Sequence, residues 1–256
     1  PIIGANLWYK PVTSSNAKLD QDVKLALKLL AEWNGEMNEH LPEPLLFYSW
    51  MRRLQERLVQ DELGVLSQEF GNFDPIFLER VFRNIDGASV WCDIVQSIAQ
   101  EECDAIAELA LYDAISELKA RYKVDITSLR WGDAHIAMHD HLTLGHIPFL
   151  NLLLNLRQSV SGGDYTLQRG LSSGNKYNPF ENVHAAVYRG VYDFSDPDSS
   201  LYIISTGQSG HLFSRHYDDL GQLWRRGEYI AMSLDPELAK AASNGTTKII
   251  PASNLQ

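Results

Sequence analysis

The stretch "HAAVYRGVYDFSDPDSSLYIISTGQSG", residues 184 to 210, decides how this chain is read. Residues 184–194 and 200–207 are rich in Val, Ile and Tyr, and the turn "SDPDS" (195–199) separates them, a pattern that predicts two paired strands. Before them lies "SGGDYTLQRGLSSGNKYNPFENV" (161–183), whose Gly, Ser and Asn content predicts long loops. After them, "SRHYDDLGQLWRRG" predicts a helix with Ser214 as cap and Gly227 as stop. "DPELAKAA" predicts one more helix, and "TKIIPA" a final strand.

Residues 1–125 read differently, as a helical region. Ser15 is the expected cap of a helix with Leu19, Val23, Leu27 and Leu30 on one face, ending at Asn34-Gly35. "PEPLLFYSWMRRLQERL" places Phe47, Trp50, Met51, Leu54 and Leu58 on one face, with arginines opposite. In "DPIFLERVF", Asp74 caps a helix that has Pro75 at its first position. The longest helix is expected from about Ile98 to Tyr122, burying Ala107, Leu111, Ile115, Leu118 and Tyr122. Helices over 1–125, then a loop-rich region with strands and C-terminal helices over 126–256, predict an α+β class and one continuous piece of a larger domain. Two or three strands make a poor sheet alone, because their edges and faces need cover, so a missing partner is expected.

Composition narrows the function classes. Hydrophobic residues make up 45% of the chain, enough for a core, and the formal net charge is −11. Such a charge lacks the basic footprint of a nucleic-acid binder and disfavours docking on anionic membranes. The densest apolar run, "IPFLNLLLNL" (147–156), falls well short of the roughly 20 residues of a membrane span. The start carries no signal peptide, and Pro1 in place of methionine suggests a processed or excised chain. Cys92 and Cys103 are free to pair or to stay reduced.

Four constellations offer chemistry, each with a plainer reading. Ser209, His211, His216, Asp218 and Asp219 lie within eleven positions, in the manner of a Ser-His-Asp site. The pattern Gly207-Gln208-Ser209-Gly210-His211 nevertheless lacks the closing glycine of a nucleophile elbow, which favours a strand-ending turn. In "WGDAHIAMHDHLTLGH", His135 and His139 would share a helix face, with His141 and His146 nearby and Asp133 or Asp140 as further zinc ligands. No glutamate stands inside to make H-E-x-x-H, so histidines that hydrogen-bond within the fold are the plainer reading. "SGGD" (161–164) lacks the frame of a phosphate loop. Pro1 as a catalytic base has a terminal amine to offer, but a processing boundary is the plainer reading.

Three segments together resemble the penicillin acylase (penicillin amidase) family of N-terminal-nucleophile hydrolases. "LAEWNGEMNEHLPEPLLFYSWMRRL" (30–54) is similar to its W-[DN]-G-x-M … P-L-[LI]-F-x-x-W block. "LRWGDAHIAMHDH" (129–141) is similar to its W-x-W-G-x-x-H block, with Arg130 between Leu129 and Trp131. "GGDYTLQRG" and the run from Pro179 to Met232 are similar to its closing region, in the same order and with comparable spacing.

The resemblance implies a C-terminal portion of a β chain, and a fragment of a fold in which two antiparallel sheets lie between helical layers. It implies a parent that is cut into α and β chains and hydrolyses a linear amide through the β chain's first residue. Nucleophile, oxyanion asparagine and any calcium ligands would all lie upstream, so no catalytic, cofactor or metal residue can be carried onto this chain. Expected partners are the upstream β-chain portion, the α chain and a small amide substrate: a penicillin-type β-lactam side chain, a cephalosporin side chain or an acyl homoserine lactone. The chain alone is expected to be inactive, and the parent to be exported to the periplasm. Two other readings are a non-catalytic interaction module with the family's C-terminal shape and a zinc hydrolase using His135, His139 and His141.

Overall fold

A computed structural model describes residues 17–243 and 245–251; the expected cap Ser15, the Pro1 amine and the last residue of "TKIIPA" lie outside the described residues. Two compact units divide the chain. The first holds the described residues up to Asn151 together with Asn155–Ala185, and the second holds Leu152–Leu154 and the described residues from Ala186 onward.

The first unit is built on helices. α1 (Ala17–Glu32), α2 (Glu43–Leu63), α3 (Pro75–Phe82) and α4 (Cys103–Tyr122) follow the expected order. In α3, the Asp74 carboxylate accepts from the Ile76 and Phe77 backbone N–H groups, as its position before Pro75 predicts. α2 runs along α4: Trp50 Nε1 donates to the Ala107 carbonyl at 2.8 Å, and Arg53 and Arg57 pair with Glu117 and Asp113 of α4. Leu45, Leu46, Leu58, Ile106, Ala110, Leu111, Ile115 and Leu118 are fully buried along this seam. Burying each such aliphatic side chain contributes about 1.5–3 kcal/mol against leaving it in water.

α4 begins at Cys103, not near Ile98. Asp93 accepts from the Glu101 N–H and Glu101 accepts from the Ile94 N–H, so side chains satisfy backbone that a longer helix would otherwise use. The same loop is closed by a disulfide between Cys92 and Cys103, eleven residues apart.

The first unit also carries a four-stranded sheet in the order β2-β1-β4-β3, formed by β1 (Ile136–His139), β2 (Leu156–Ser159), β3 (Gly170–Ser172) and β4 (Asn182–Ala185). β1 runs antiparallel to β2 and parallel to β4, and β3 runs antiparallel to β4. Here the sequence expectation of a helix through His135 and His139 is corrected, because four residues of this segment pair with Leu156–Ser159. The expected loops of 161–183 likewise contain β3 and the start of β4. The short helix α5 (Leu150–Leu154) precedes β2.

The second unit holds a three-stranded antiparallel sheet, β5 (Tyr188–Val191), β6 (Ser200–Ile204) and β7 (Ile230–Met232), in that order. The pairing of β5 with β6 is the hairpin expected from the opening stretch. α6 covers only Gly221–Arg226, so the helix expected from Ser214 is shorter than its sequence suggests. Ser214 Oγ instead accepts from the His216 N–H, and Gly221 N donates to the Asp218 carbonyl, turns that delay the helix. Gly227 ends α6 with φ of 72°, the left-handed C-terminal stop its position predicts. α7 (Pro236–Ala242) is capped by Asp235, and residues 247–251 form no strand.

Candidate functional site

Ser209 sits in a turn, not on a nucleophile elbow. Its N–H donates to the His216 carbonyl at 2.9 Å, and its Oγ accepts from the His211 N–H at 3.1 Å. The His216 ring is held between Asp219 Oδ2, 2.7 Å from Nδ1, and Arg215 Nε, which donates to Nε2 at 2.9 Å. A ring nitrogen that accepts from a guanidinium is not available to take a proton from a serine. His211 Nδ1 accepts from the Phe213 N–H, and the Leu220 N–H donates to the Thr206 carbonyl. The cluster therefore ties the strand end to α6 through local hydrogen bonds.

The histidines of residues 135–146 take different surroundings. His135 is fully buried and stacks on Trp131, with ring centroids 4.5 Å apart. Its Nδ1 faces the Phe180 carbonyl at 2.8 Å, which requires the proton on Nδ1. Nε2 presses against Gly170, where an added Cβ would lie 2.4 Å away. Burial pushes the His135 pKa down to about 4, against the opposing pull of the Phe180 carbonyl. His139 lies on β1, where burial and then Arg157 lower its pKa. His141 Nδ1 accepts from the Thr143 and Leu144 N–H groups, so it closes a turn. Asp140 pairs with Arg157. Among the described residues no group of three or more His, Cys, Asp or Glu side chains converges to hold a metal ion.

Around Trp131 the structure gathers a buried polar centre that sequence spacing does not announce. Trp131 Nε1 donates to the Gly162 carbonyl at 2.8 Å, and Gly162 N donates to the Met37 carbonyl at 2.7 Å. Gly162 has φ of +94°, and a Cβ there would collide with the Gln168 carbonyl. Glu39, itself buried, accepts from Ser159 Oγ, while its N–H donates to Ser161 Oγ and its carbonyl accepts from Gly132 N. A side chain at Gly132 would meet Ser159 Oγ and Glu39, so only glycine fits. The "SGGD" segment thus serves backbone geometry. Asp164 accepts from the Ser172 N–H at 2.5 Å, and its own N–H donates to the Tyr48 hydroxyl at 2.9 Å. Burial raises the pKa of both Asp164 and Tyr48.

The three sequence blocks "EWNGEMNEH", "RWGDAH" and "SGGD" meet in this centre, and their polar groups bond to one another except at His135 Nε2, which is buried without a hydrogen-bond partner. The tryptophan–glycine pair at 131–132 is a local mark of the centre, an indole donor beside a position where a side chain would collide. The partners, more than a hundred residues away for Glu39 and Ser159, carry no such mark.

A family model described as Penicillin amidase matches residues 4–241. The penicillin acylase 2 proenzyme of Pseudomonas sp. (strain SE83) is 24% identical over 230 residues, which are 87% of this chain and 28% of that protein. The acyl-homoserine lactone acylase QuiP of Pseudomonas syringae pv. tomato is 24% identical over 226 residues, 83% of this chain and 26% of that protein. A solved thermostable penicillin G acylase from Alcaligenes faecalis aligns with 94% of this chain and 44% of its own, at 16% identity and a TM-score of 0.44. The chain spans little more than a quarter of the length of these curated relatives. By the match that runs through nearly all of its residues, the chain belongs to the penicillin amidase family.

Proposed function

We propose that this chain is the C-terminal, scaffold-forming portion of an amidase that hydrolyses a linear amide into a carboxylic acid and an amine. One observation carries the reading: the family match fills the chain, yet the chain fills only 26–28% of the relatives' lengths. The nucleophile of the parent lies upstream, at the first residue of its β chain. There the α-amine serves as base to the hydroxyl beside it, and a backbone N–H with an asparagine holds the oxyanion. Any calcium site of the parent belongs to upstream residues as well. Two antiparallel sheets between helical layers form the parent's frame, to which this chain contributes strands and helices. The α chain and the upstream β-chain portion are its partners.

The substrate class is an acylated amine: a penicillin-type or cephalosporin side chain, or an acyl homoserine lactone. All three present a secondary amide, the bond such a nucleophile attacks. The disulfide between Cys92 and Cys103 supports an oxidising compartment such as the periplasm.

The experiment is denatured intact mass on protein expressed from the complete natural gene, followed by turnover of a penicillin-type amide and an acyl homoserine lactone. The expected result is a smaller α chain beside a serine-initiated β chain that contains this sequence, with turnover by the pair and none by the 256-residue chain alone. A single 28.9 kDa species would remove the reading.

A further inference from the structure

Residues 34–39 form a short segment anchored at both ends. On one side the Trp33 indole, whose ring centroid lies 5.6 Å from that of Phe47, donates from Nε1 to the Glu36 carbonyl at 3.0 Å. On the other, the Met37 carbonyl accepts from Gly162 N at 2.7 Å, and the Glu39 backbone binds Ser161 Oγ and Gly132 N. Between these anchors stand Asn34 and Gly35, both exposed.

An asparagine followed by glycine is chemically distinct, because no side chain on the next residue hinders the approach of its backbone nitrogen to the asparagine Cγ. Among the described asparagines only Asn34 has that neighbour. Its Oδ1 accepts from the Glu36 N–H at 2.9 Å, so a donor already faces the oxygen on which negative charge develops during attack. Gly35 has φ of +84°, and a Cβ there would meet nothing within 4 Å, so open space surrounds it. Among the described residues no hydrogen bond holds the Gly35 N–H or Asn34 Nδ2. Asn38 makes the contrast. Its Oδ1 likewise accepts from the His40 N–H, but its Nδ2 donates to the Glu36 carboxylate, and the nitrogen that follows it, Glu39 N, is bound to Ser161 Oγ. At Asn38 both the leaving group and the attacking atom are engaged.

We propose that Asn34 is a site of spontaneous intramolecular modification, at which Gly35 N attacks Asn34 Cγ and the side-chain amide is converted to an aspartyl or isoaspartyl group. The bond from Gly35 N to Cγ forms and the Cγ–Nδ2 bond breaks. The Gly35 N–H proton leaves with Nδ2 as ammonia, and a five-membered succinimide remains. Water then opens the ring at either carbonyl, and nothing is oxidised or reduced. The isoaspartyl product carries the main chain through Cβ and Cγ, one methylene longer between Trp33 and Met37. It therefore strains the bond from Gly162 N to the Met37 carbonyl and loosens the polar centre at that point. The inference stands independently of the proposed function.

The test uses protein expressed from the complete natural gene, incubated folded at neutral pH, digested, and mapped by mass with isoaspartate resolved from aspartate. The second Asn-Gly pair of the sequence, Asn244-Gly245, falls on a separate peptide. The expected result is a gain of about 1 Da at Asn34, from amide to acid, with isoaspartate among the products. It should proceed at least about tenfold faster than at Asn38, and Asn34→Gln, which would need a larger ring, should abolish it. Modification no faster than at Asn38 overturns the inference. A gain that yields aspartate alone overturns it too, since water has then attacked the side chain directly. Hydrogen exchange at the Gly162 N–H should quicken about tenfold in the isoaspartyl form and not in Asn34→Asp, whose main chain is normal. Unchanged exchange in the isoaspartyl form overturns the link to the polar centre.

Discussion

The two units bury their apolar side chains on different terms. Among the described residues, 25 of the buried hydrophobics fall in the first unit and three in the second. The first unit closes a helical core over a polar centre whose members bond to one another except at His135 Nε2 and Ser172 Oγ. The second exposes aromatic residues on a short sheet and holds itself together through Trp224, whose Nε1 donates to the Ala186 carbonyl at 3.0 Å. The contrast separates a unit with a covered apolar core from one whose short sheet leaves most of its aromatic residues exposed.

A matched pair of tryptophan variants puts the sharpest question to this contrast. Trp131→Ala should lower the unfolding free energy of the chain by about 3–5 kcal/mol, since it opens a cavity and strands the Gly162 carbonyl. Trp224→Ala removes an equally buried indole, yet it should leave the main urea transition within about 0.5 kcal/mol and hasten proteolysis within residues 186–251. Similar losses from both would break the comparison, since the second unit would then share the stability of the first.

Acid should act on the first unit through His135. An unfolded imidazole titrates near 6.5 and the buried one at about 4, so between those values the unfolded chain binds a proton that the folded chain refuses. Stability is therefore full above the unfolded value and is lost as pH falls towards 4, by a total on the order of 3 kcal/mol. Asp164, raised by burial, works in the opposite sense, because its folded form keeps a proton that the unfolded form has released. Urea unfolding from about pH 4.5 to about pH 7.5 should show a slope that His135→Gln flattens, and an unchanged slope would remove His135 from the account.

The disulfide gives a slightly smaller effect. Closing an eleven-residue separation constrains the unfolded chain by about 2–3 kcal/mol, so Cys92→Ser with Cys103→Ser should lower stability by that much. The loss should appear in the first unit, as earlier exchange at residues 93–102, with no change in β5 to β7. The smallest effect belongs to Ser209. Its hydroxyl accepts a single backbone N–H, so Ser209→Ala should change stability by less than about 0.5 kcal/mol and leave the amide turnover proposed for the parent unaltered. A large loss of turnover would return Ser209 to the chemistry.

Much of the first unit was legible in the sequence because local signals and burial agree there. Leu54, Leu58, Leu111, Ile115 and Leu118 recur at helical spacing and are buried, and Asp74-Pro75 caps its helix. Leu27 fits the same spacing but is 43% exposed, since periodicity marks a face without saying what covers it. In the polar centre, His135 and His139 are four apart, a spacing that suits one helix face and equally one face of a strand. Only pairing with Leu156–Ser159 chose the strand.

The amino-acid sequence by itself determined the α+β character, the order of the four long helices, the β5–β6 hairpin, the acidic balance and the family blocks. These depend on residue type and on spacing within one or two turns. Tertiary structure decided that Cys92 and Cys103 pair, that His135 is buried and held neutral, that Ser209 and His216 are occupied by neighbours, and that Glu39 meets Ser159. Each of these depends on which distant segment arrives beside the residue, and on whether water is expelled when it does.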